Sequence, residues 1–447
     1  MIFSRITALA DRYLKAGVTV EDRERIIRGT FHSFLIQGFS VGLVFLSNLL
    51  LVRASDADSY GLYVHIFNWV SILSVVVMGG RDDLVLAQLP RYIGDRHARL
   101  AGLVRAVNRW IVIAGVVVAV CFLALLAGVK LETLSDHQSL FRLAMIAVYL
   151  TAALGLNQLI LQALNHIRLS QVIEKLMKPL LLIVGIGFLR LLAVPLDARV
   201  LVILSTVVLA ICCSCVFWLV VRKVGWNRLG PKPVERLEKK TTYFFLISLF
   251  NLLATKITML MLPIYWPAAK DIGIFNISYR FADLLIFPFF LMHTVLPQLF
   301  ARHTDTGRAY TQSLFSESNK GMTLLGIPLL LVNVAAGPFL LRLFGPDFAA
   351  GYAAIVYISL AQFVFSFFGP ANTILMMQDK EKYSMACLLV YVVVLAGTSR
   401  LLIPGGGITG GAIAILISSV VYNILLAVVL YRSCGVRSPY FSWLLRG

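Results

Sequence analysis

Charge is scarce in this chain. Only 14% of its 447 residues are Asp, Glu, Lys or Arg, and acids are the rarer sign, 22 against 40 bases. With 59% hydrophobic residues and a mean hydropathy of +0.85, too little polar surface exists to cover a soluble domain of this length. Cysteine is sparse too. Cys121, Cys212, Cys213, Cys215 and Cys387 fall inside apolar runs and Cys434 lies near the C-terminal end, so neither a disulfide framework nor a spaced zinc-ligand set is expected. His32, His65 and His293 are isolated, and no two have ligand spacing. The absence of a Walker motif excludes transport driven by this chain's own ATP hydrolysis. Residues 1–30 lack a compact apolar core with a cleavage site, so no signal peptide is expected. The short alternating segments of a membrane barrel are absent as well. Nothing here asks for a cofactor or a metal.

Long apolar runs are what the chain has. Twelve are long enough, or nearly so, to cross a bilayer: about 31–52, 61–79, 110–129, 139–164, 180–194, 200–221, 244–266, 274–300, 321–341, 352–378, 385–403 and 408–431. They predict an all-α, polytopic membrane protein of about twelve transmembrane helices in two six-helix lobes. If the N-terminus is cytoplasmic, thirty of the forty bases fall in inside segments and only six in outside loops (Arg53, Lys130, Arg199, Lys270, Arg342 and Arg400). Positive residues are retained on the cytoplasmic side, which places both termini there. The net charge of +18 is thereby explained by short loops facing anionic lipid, and no nucleic-acid partner is expected.

The longest basic linker, 222–243, contains Pro231 and Pro233 and separates an N-terminal lobe, 31–221, from a C-terminal lobe, 244–431; a cytoplasmic tail, 432–447, follows. The leading segment, 1–30, places Ile2, Ile6, Leu9 and Tyr13 at helical spacing among bases, a pattern that fits a surface helix or a plain tail. The lobes resemble each other faintly. Tyr60-Gly61-Leu62-Tyr63 aligns with Ile272-Gly273-Ile274-Phe275 at an offset of 212 residues. At an offset of 214, Ile160-Leu161, Asn165, Arg168 and Ser170 align with Ile374-Leu375, Asp379, Lys382 and Ser384. Six spans return the chain to its starting side, so such repeats are parallel and enclose a cavity that can open to either face. The outside loops are short and provide no domain for an active site, which argues against membrane glycosyltransferases, polymerases and ligases.

Four bases lie within apolar runs: Arg142, Arg190, Lys256 and Arg280. Lys256 is central to span seven, where burying an ammonium costs at least ~2.5–3.5 kcal/mol. It is too deep to snorkel, so it faces either a wet cavity or a structural carboxylate. Arg280 lies some ~10 Å inside span eight, with Asp283 three residues on. That pair either neutralises itself or releases the guanidinium to an incoming anion. Asp283 is the clearest carboxylate within a span and the leading candidate for proton coupling. Arg142 and Arg190, nearer the outer ends, either snorkel to the interface or face the cavity. Together these cations point to an anionic passenger, and a phosphate or diphosphate matches the guanidinium fork.

Pro263, Pro288, Pro297, Pro328 and Pro338 interrupt the second half, a pattern suited to rocking helices and also common in ordinary membrane spans. Gly405-Gly406-Gly407-Ile408-Thr409-Gly410 satisfies G-x-G-x-x-G, but it lies in an expected outside loop with no strand before it, so a nucleotide site is rejected. Other stretches carry a family resemblance. Leu343-Phe344-Gly345-Pro346-Asp347-Phe348 resembles a recurring "lfG-x-x-[YF]" stretch. Pro404, Gly407, Gly410, Ala412 and Ala414 resemble "P-x-y-G-x-x-G-a-A-x-A", and Tyr60-Gly61-x-Tyr63 resembles "YG-x-[YF]". In these motifs and in its layout the chain resembles the polysaccharide transporters, the Wzx-type lipid-linked oligosaccharide flippases. They share a superfamily with multidrug extruders and the lipid II flippase.

The resemblance implies two lobes around a cationic cavity in a bacterial cytoplasmic (inner) membrane. It implies a flippase moving an undecaprenyl-diphosphate-linked oligosaccharide repeat for surface polysaccharide such as O-antigen, lipopolysaccharide or exopolysaccharide. Membrane lipids and polysaccharide polymerase and chain-length components are the implied partners. Only the role of cavity cation is carried over, to Lys256, Arg280, Arg142 and Arg190. A cation-coupled multidrug exporter and a non-transporting scaffold for a glycan assembly complex are the alternatives. Drug extruders often use acids in their first helices. Span one offers only His32, Gln37 and Asn48, while Asp82 and Asp83 stand at the cytoplasmic end of span two.

Overall fold

In a computed structural model the described residues are 38–82, 85, 89, 97–128, 138–164, 166–224, 238–286, 308–378 and 380–437. The leading segment 1–30, most of the 222–243 linker and the end of the tail lie outside them. So do His32, Gln37, Asp83, Asn165, His293, Pro288, Pro297 and Asp379. The described chain is helical, with no strand among the described residues.

The first half contains α1 (Gly38–Ala54), α2 (Ala57–Met78), α3 (His97–Gly128), α4 (Gln138–Ala163), α5 and α6 (Ala198–Val224). α5 has three parts: Ile167–Val172, a π-helical turn Ile173–Met177, and Lys178–Leu191. The second half begins with α7 (Glu238–Tyr265) and α8 (Ala269–Ala282), which tightens into a 3-10 turn, Asp283–Ile286. α9 (Arg308–Phe344), a 3-10 turn (Pro346–Gly351), α10 (Tyr352–Phe368), the short α11 (Ala371–Met377) and α12 (Glu381–Cys434) complete it.

Local chemistry sets several ends. Asp56 caps α2 by accepting from Ser59 N at 2.8 Å, and Gly79 ends the helix with a left-handed φ of 55°. α12 is an antiparallel pair of arms. Gly407, at φ 50° and ψ −127°, reverses the chain between them, and Thr398 Oγ1 lies 3.2 Å from Ser418 Oγ across the pair. The outside loop expected between spans eleven and twelve is therefore a turn about one glycine. Gly410 packs so closely on the first arm that a Cβ there would stand 2.1 Å from Leu402 O. The G-x-G-x-x-G run serves this hairpin.

The lipid-facing helices are apolar outward. Val116 of α3 is 60% exposed and Leu324 of α9 is 70% exposed, with Ile113, Val120 and Leu331 repeating the exposed face at helical spacing. Arg81 stacks over Trp110 at 3.4 Å, and Arg222 over Trp218 at 4.8 Å, at ends that the charge rule assigns to the cytoplasm.

Two apolar cores form. One is built by α2–α6 around Ile66, Val104, Phe141, Leu156 and Val216. The other is built mainly by α7–α12 and takes in Leu51 and Val52 of α1, Tyr60 and Val64 of α2, and Leu201 of α6. The halves thus join at the end assigned as outer. There the aligned glycines meet, for a Cβ on Gly273 would lie 3.3 Å from Gly61 Cα and 2.8 Å from the Tyr60 ring. The second aligned pair also adopts matching local structure. His166 N donates to Leu161 O and Lys380 N to Leu375 O, each at 2.9 Å. Ser170 Oγ donates to Gln158 O, and Ser384 Oγ to the Asn372 side chain, each reaching back twelve residues.

Candidate functional site

Between the halves lies a cavity of about 420 Å³, lined by α1, α2, α5, α6, α7 and α8. Tyr60 and Asn276 close the end assigned as outer: Asn276 Nδ2 donates to Tyr60 Oη at 3.0 Å, and Tyr60 Oη donates to Asn48 Oδ1 at 3.2 Å. Behind them Phe45, Phe281 and Phe344 stack mutually at 5.6–5.8 Å, and Phe344 meets Phe348 at 6.0 Å. The Leu343–Phe348 stretch singled out in the sequence is therefore part of this seal. Further ties cross it. Lys270 N donates to Asp58 Oδ1 at 3.1 Å, and a Cβ on Gly61 would stand 1.7 Å from Ala269 O.

Lys256 and Arg280 both line the cavity. Arg280 stands eleven residues into α8, which starts at Ala269, ~16 Å along the helix at helical rise. Asp283 turns away. The helix tightens to 3-10 at that residue, and its Oδ1 accepts from Gln362 Nε2 of α10 at 3.1 Å. The intrahelical pair open to Arg280 is not formed as a contact among the described residues, although Asp283 stays within Coulombic range of Arg280 and Lys256.

Arg142 and Arg190 are elsewhere. Arg142 is exposed near the start of α4 and does not line the cavity. Arg190 Nη2 donates to Arg53 O at 2.6 Å, and Arg53 Nε donates to Leu343 O at 2.7 Å. These two arginines tie the ends of α5, α1 and α9 together at the end assigned as outer.

Two bases counted above as loop charges line the cavity instead, Lys175 and Lys178. The apolar run predicts a fifth span over 180–194, but α5 is helical from Ile167 to Leu191. Pro179 offers no N–H to the turn before it, and that turn is the π segment, whose wider ring is closed by Lys178 N donating to Ile173 O. It carries Glu174 and Lys175 into the lining. A signal was present: Val172, Ile173, Leu176 and Met177 keep helical spacing ahead of the apolar run.

The lining thus holds four cations, Lys175, Lys178, Lys256 and Arg280, against one acid, Glu174. Arg280 is within Coulombic range of both Lys178 and Lys256. Like charges held together away from bulk water repel one another, and an anion bridging them offsets that cost. Asn68, Ser71 and Ser205 add neutral polar groups, and Ser205 Oγ donates to Tyr63 Oη at 3.0 Å. Arranged this way, the site can hold a polyanionic group between the two halves.

No protein-family model matches the chain, and no curated protein does. Solved structures share its fold. An inward-facing multidrug resistance MATE family transporter of the MOP superfamily superposes with a TM-score of 0.72 at 15% identity, covering 88% of this chain and 94% of that one. The lipid II flippase MurJ, in an inward closed conformation, gives 0.69 at 12% identity, with 93% and 89% covered. A MOP superfamily transporter from Pyrococcus furiosus, described by the reverse polarity of its binding pocket, gives 0.65 at 14%, with 92% and 95% covered. These neighbours are membrane transporters and a flippase, not enzymes.

Proposed function

We propose that this multi-pass membrane protein, a transporter of the MATE and MurJ fold, flips an undecaprenyl-diphosphate-linked oligosaccharide across the bacterial cytoplasmic membrane for surface polysaccharide synthesis. The cluster of four cations against one acid in the central cavity carries the reading. A diphosphate takes bidentate hydrogen bonds from Arg280 and point charges from Lys256, Lys178 and Lys175. The charges of Lys178, Lys256 and Arg280 are expensive to bury, so the ligand's phosphates stabilise the loaded state. The glycan shares the wet cavity, and the lipid tail trails between helices. Alternation between the two lobes then carries the head group across, with Asp283 as the candidate for proton coupling. Polymerase and chain-length components are the partners that such a pathway supplies. A cationic-drug exporter fits less well, because this lining repels its cargo.

Binding to the purified protein in nanodiscs tests the reading, with undecaprenyl diphosphate compared against undecaprenol. Wild type should prefer the diphosphate, and the Lys256→Gln/Arg280→Gln double variant should lose roughly 100-fold or more, as expected for two charge-assisted contacts at ~1.5–3 kcal/mol each. Equal binding of the two lipids by wild type, or undiminished diphosphate binding by the double variant, would sink the assignment.

A further inference from the structure

The second half encloses a cavity of its own, about 250 Å³, and among the described residues no charged side chain lines it. Aromatic rings and amides take the place of charge. Tyr422 stands 5.2 Å from Tyr391 and 5.9 Å from Phe365, and these rings with Tyr279 form one wall. Gln362, Asn372 and Asn423 present carboxamides. Ser366 also lines the space. It is 1% exposed, and its hydroxyl has no hydrogen-bond partner.

The chemistry of this lining narrows the occupant. A cation would meet no carboxylate in the lining itself, where Asp283 stands behind Gln362 and is held by its amide, and an anion would meet no base. An acyl chain would leave the Ser366 hydroxyl unpaired, at ~1–3 kcal/mol. It would use none of the capacity the carboxamides keep beyond the bonds Gln362 makes to Asp283, Asn372 to Ser384 and Asn423 to Ser419. A neutral, polyhydroxylated ring suits all of it, because its C–H face covers an aromatic ring while its hydroxyls pair with amides. The volume sits just below the ~300–1,000 Å³ span of small-molecule sites, which suits a single sugar ring better than a drug-sized ligand.

Position narrows it further. α7 and α8 contribute to both cavities through adjacent residues: Thr255 lines this one and Lys256 the central one, while Tyr279 lines this one and Arg280 the central one. The two cavities therefore adjoin the same helix pair from neighbouring faces. We infer that the second-half cavity is a carbohydrate subsite, which receives a neutral pyranose of the substrate whose diphosphate rests on Lys256 and Arg280. This rests on the diphosphate reading of the central cavity. The subsite makes the carrier selective for a sugar-bearing lipid over the spent lipid diphosphate.

The test compares undecaprenyl diphosphate with undecaprenyl-diphosphate-N-acetylglucosamine, binding each to the full-length protein in nanodiscs. Wild type should bind the sugar lipid about tenfold more tightly, the gain of one buried hydrogen bond with ring stacking. Ser366→Ala removes an unpaired hydroxyl and is benign for folding, and Tyr422→Leu removes a ring. Each should narrow the difference to about twofold and leave the bare diphosphate unchanged. A merely structural role would move both lipids equally or neither. Equal affinities in wild type, or a difference that survives both variants, overturns the subsite while the diphosphate reading stands. Failure of both lipids to bind overturns both readings. Competition by tetraphenylphosphonium that is lost in Tyr422→Leu assigns the cavity to a drug and also overturns the subsite.

Discussion

Gly61→Ala is the sharpest perturbation the fold offers. An added Cβ would sit 1.7 Å from Ala269 O and 2.4 Å from Ala269 C, both backbone atoms that no rotamer change can move. Restoring an ordinary contact near 3.2 Å requires α2 and the start of α8 to separate by ~1.5 Å, an overpacking that costs ~1–3 kcal/mol. The separation would also stretch the hydrogen bond from Lys270 N to Asp58 and loosen the Tyr60–Asn276 contact that roofs the cavity. Because the clash exists only while the outer end is closed, its cost falls on that state alone. The population open at that end should therefore rise by about 5- to 150-fold. Spin labels on cysteines at Arg199 and Asp347, both exposed at that end of opposite halves, report the separation by pulsed electron resonance in a background freed of native cysteines. Gly61→Ala should add or enlarge a long-distance component. Gly397→Ala, where a Cβ meets nothing within 4 Å, should not. An unchanged distance distribution in Gly61→Ala would refute the argument that this glycine contact holds the outer seal.

Gly407→Ala places a Cβ on a residue at φ 50°, 3.1 Å from the Trp266 ring, so it should destabilise the α12 hairpin by ~1 kcal/mol or more, read as a lower melting temperature in detergent. Gly187→Ala, in open space, is its control. Asp283→Asn keeps an acceptor for Gln362 but removes the charge. If Asp283 carries the coupling proton, reconstituted transport should lose its response to an imposed pH gradient while undecaprenyl diphosphate binding stays within about threefold; a response equal to wild type would discard that role.

Much of the architecture is legible in residue order because a bilayer enforces local rules. A span must be apolar and hydrogen-bonded within itself, so each helix leaves a run of the right length wherever its neighbours lie. The exposed cost of charge at depth likewise marks Lys256 and Arg280 one residue at a time. Boundaries were less legible. The amphipathic first part of α5 read as loop because its charges break the apolar run, and with it Lys175 and Lys178 were assigned to topology. The turn at Gly407 read as a loop because one positive φ leaves no compositional trace beyond a glycine cluster.

By itself, then, the sequence determined the all-helical membrane-spanning class, the expected sidedness of its charges and the presence of cations too deep to snorkel. Only the tertiary structure decided which cations share a cavity, that Arg190 instead ties down Arg53, that Asp283 turns to Gln362, and that the aligned glycines Gly61 and Gly273 face each other. The reason is range. Insertion energy acts residue by residue along the chain. The contacts that build the site join positions as far apart as Lys178 and Arg280, or Gly61 and Gly273, and depend on how helices pack against one another.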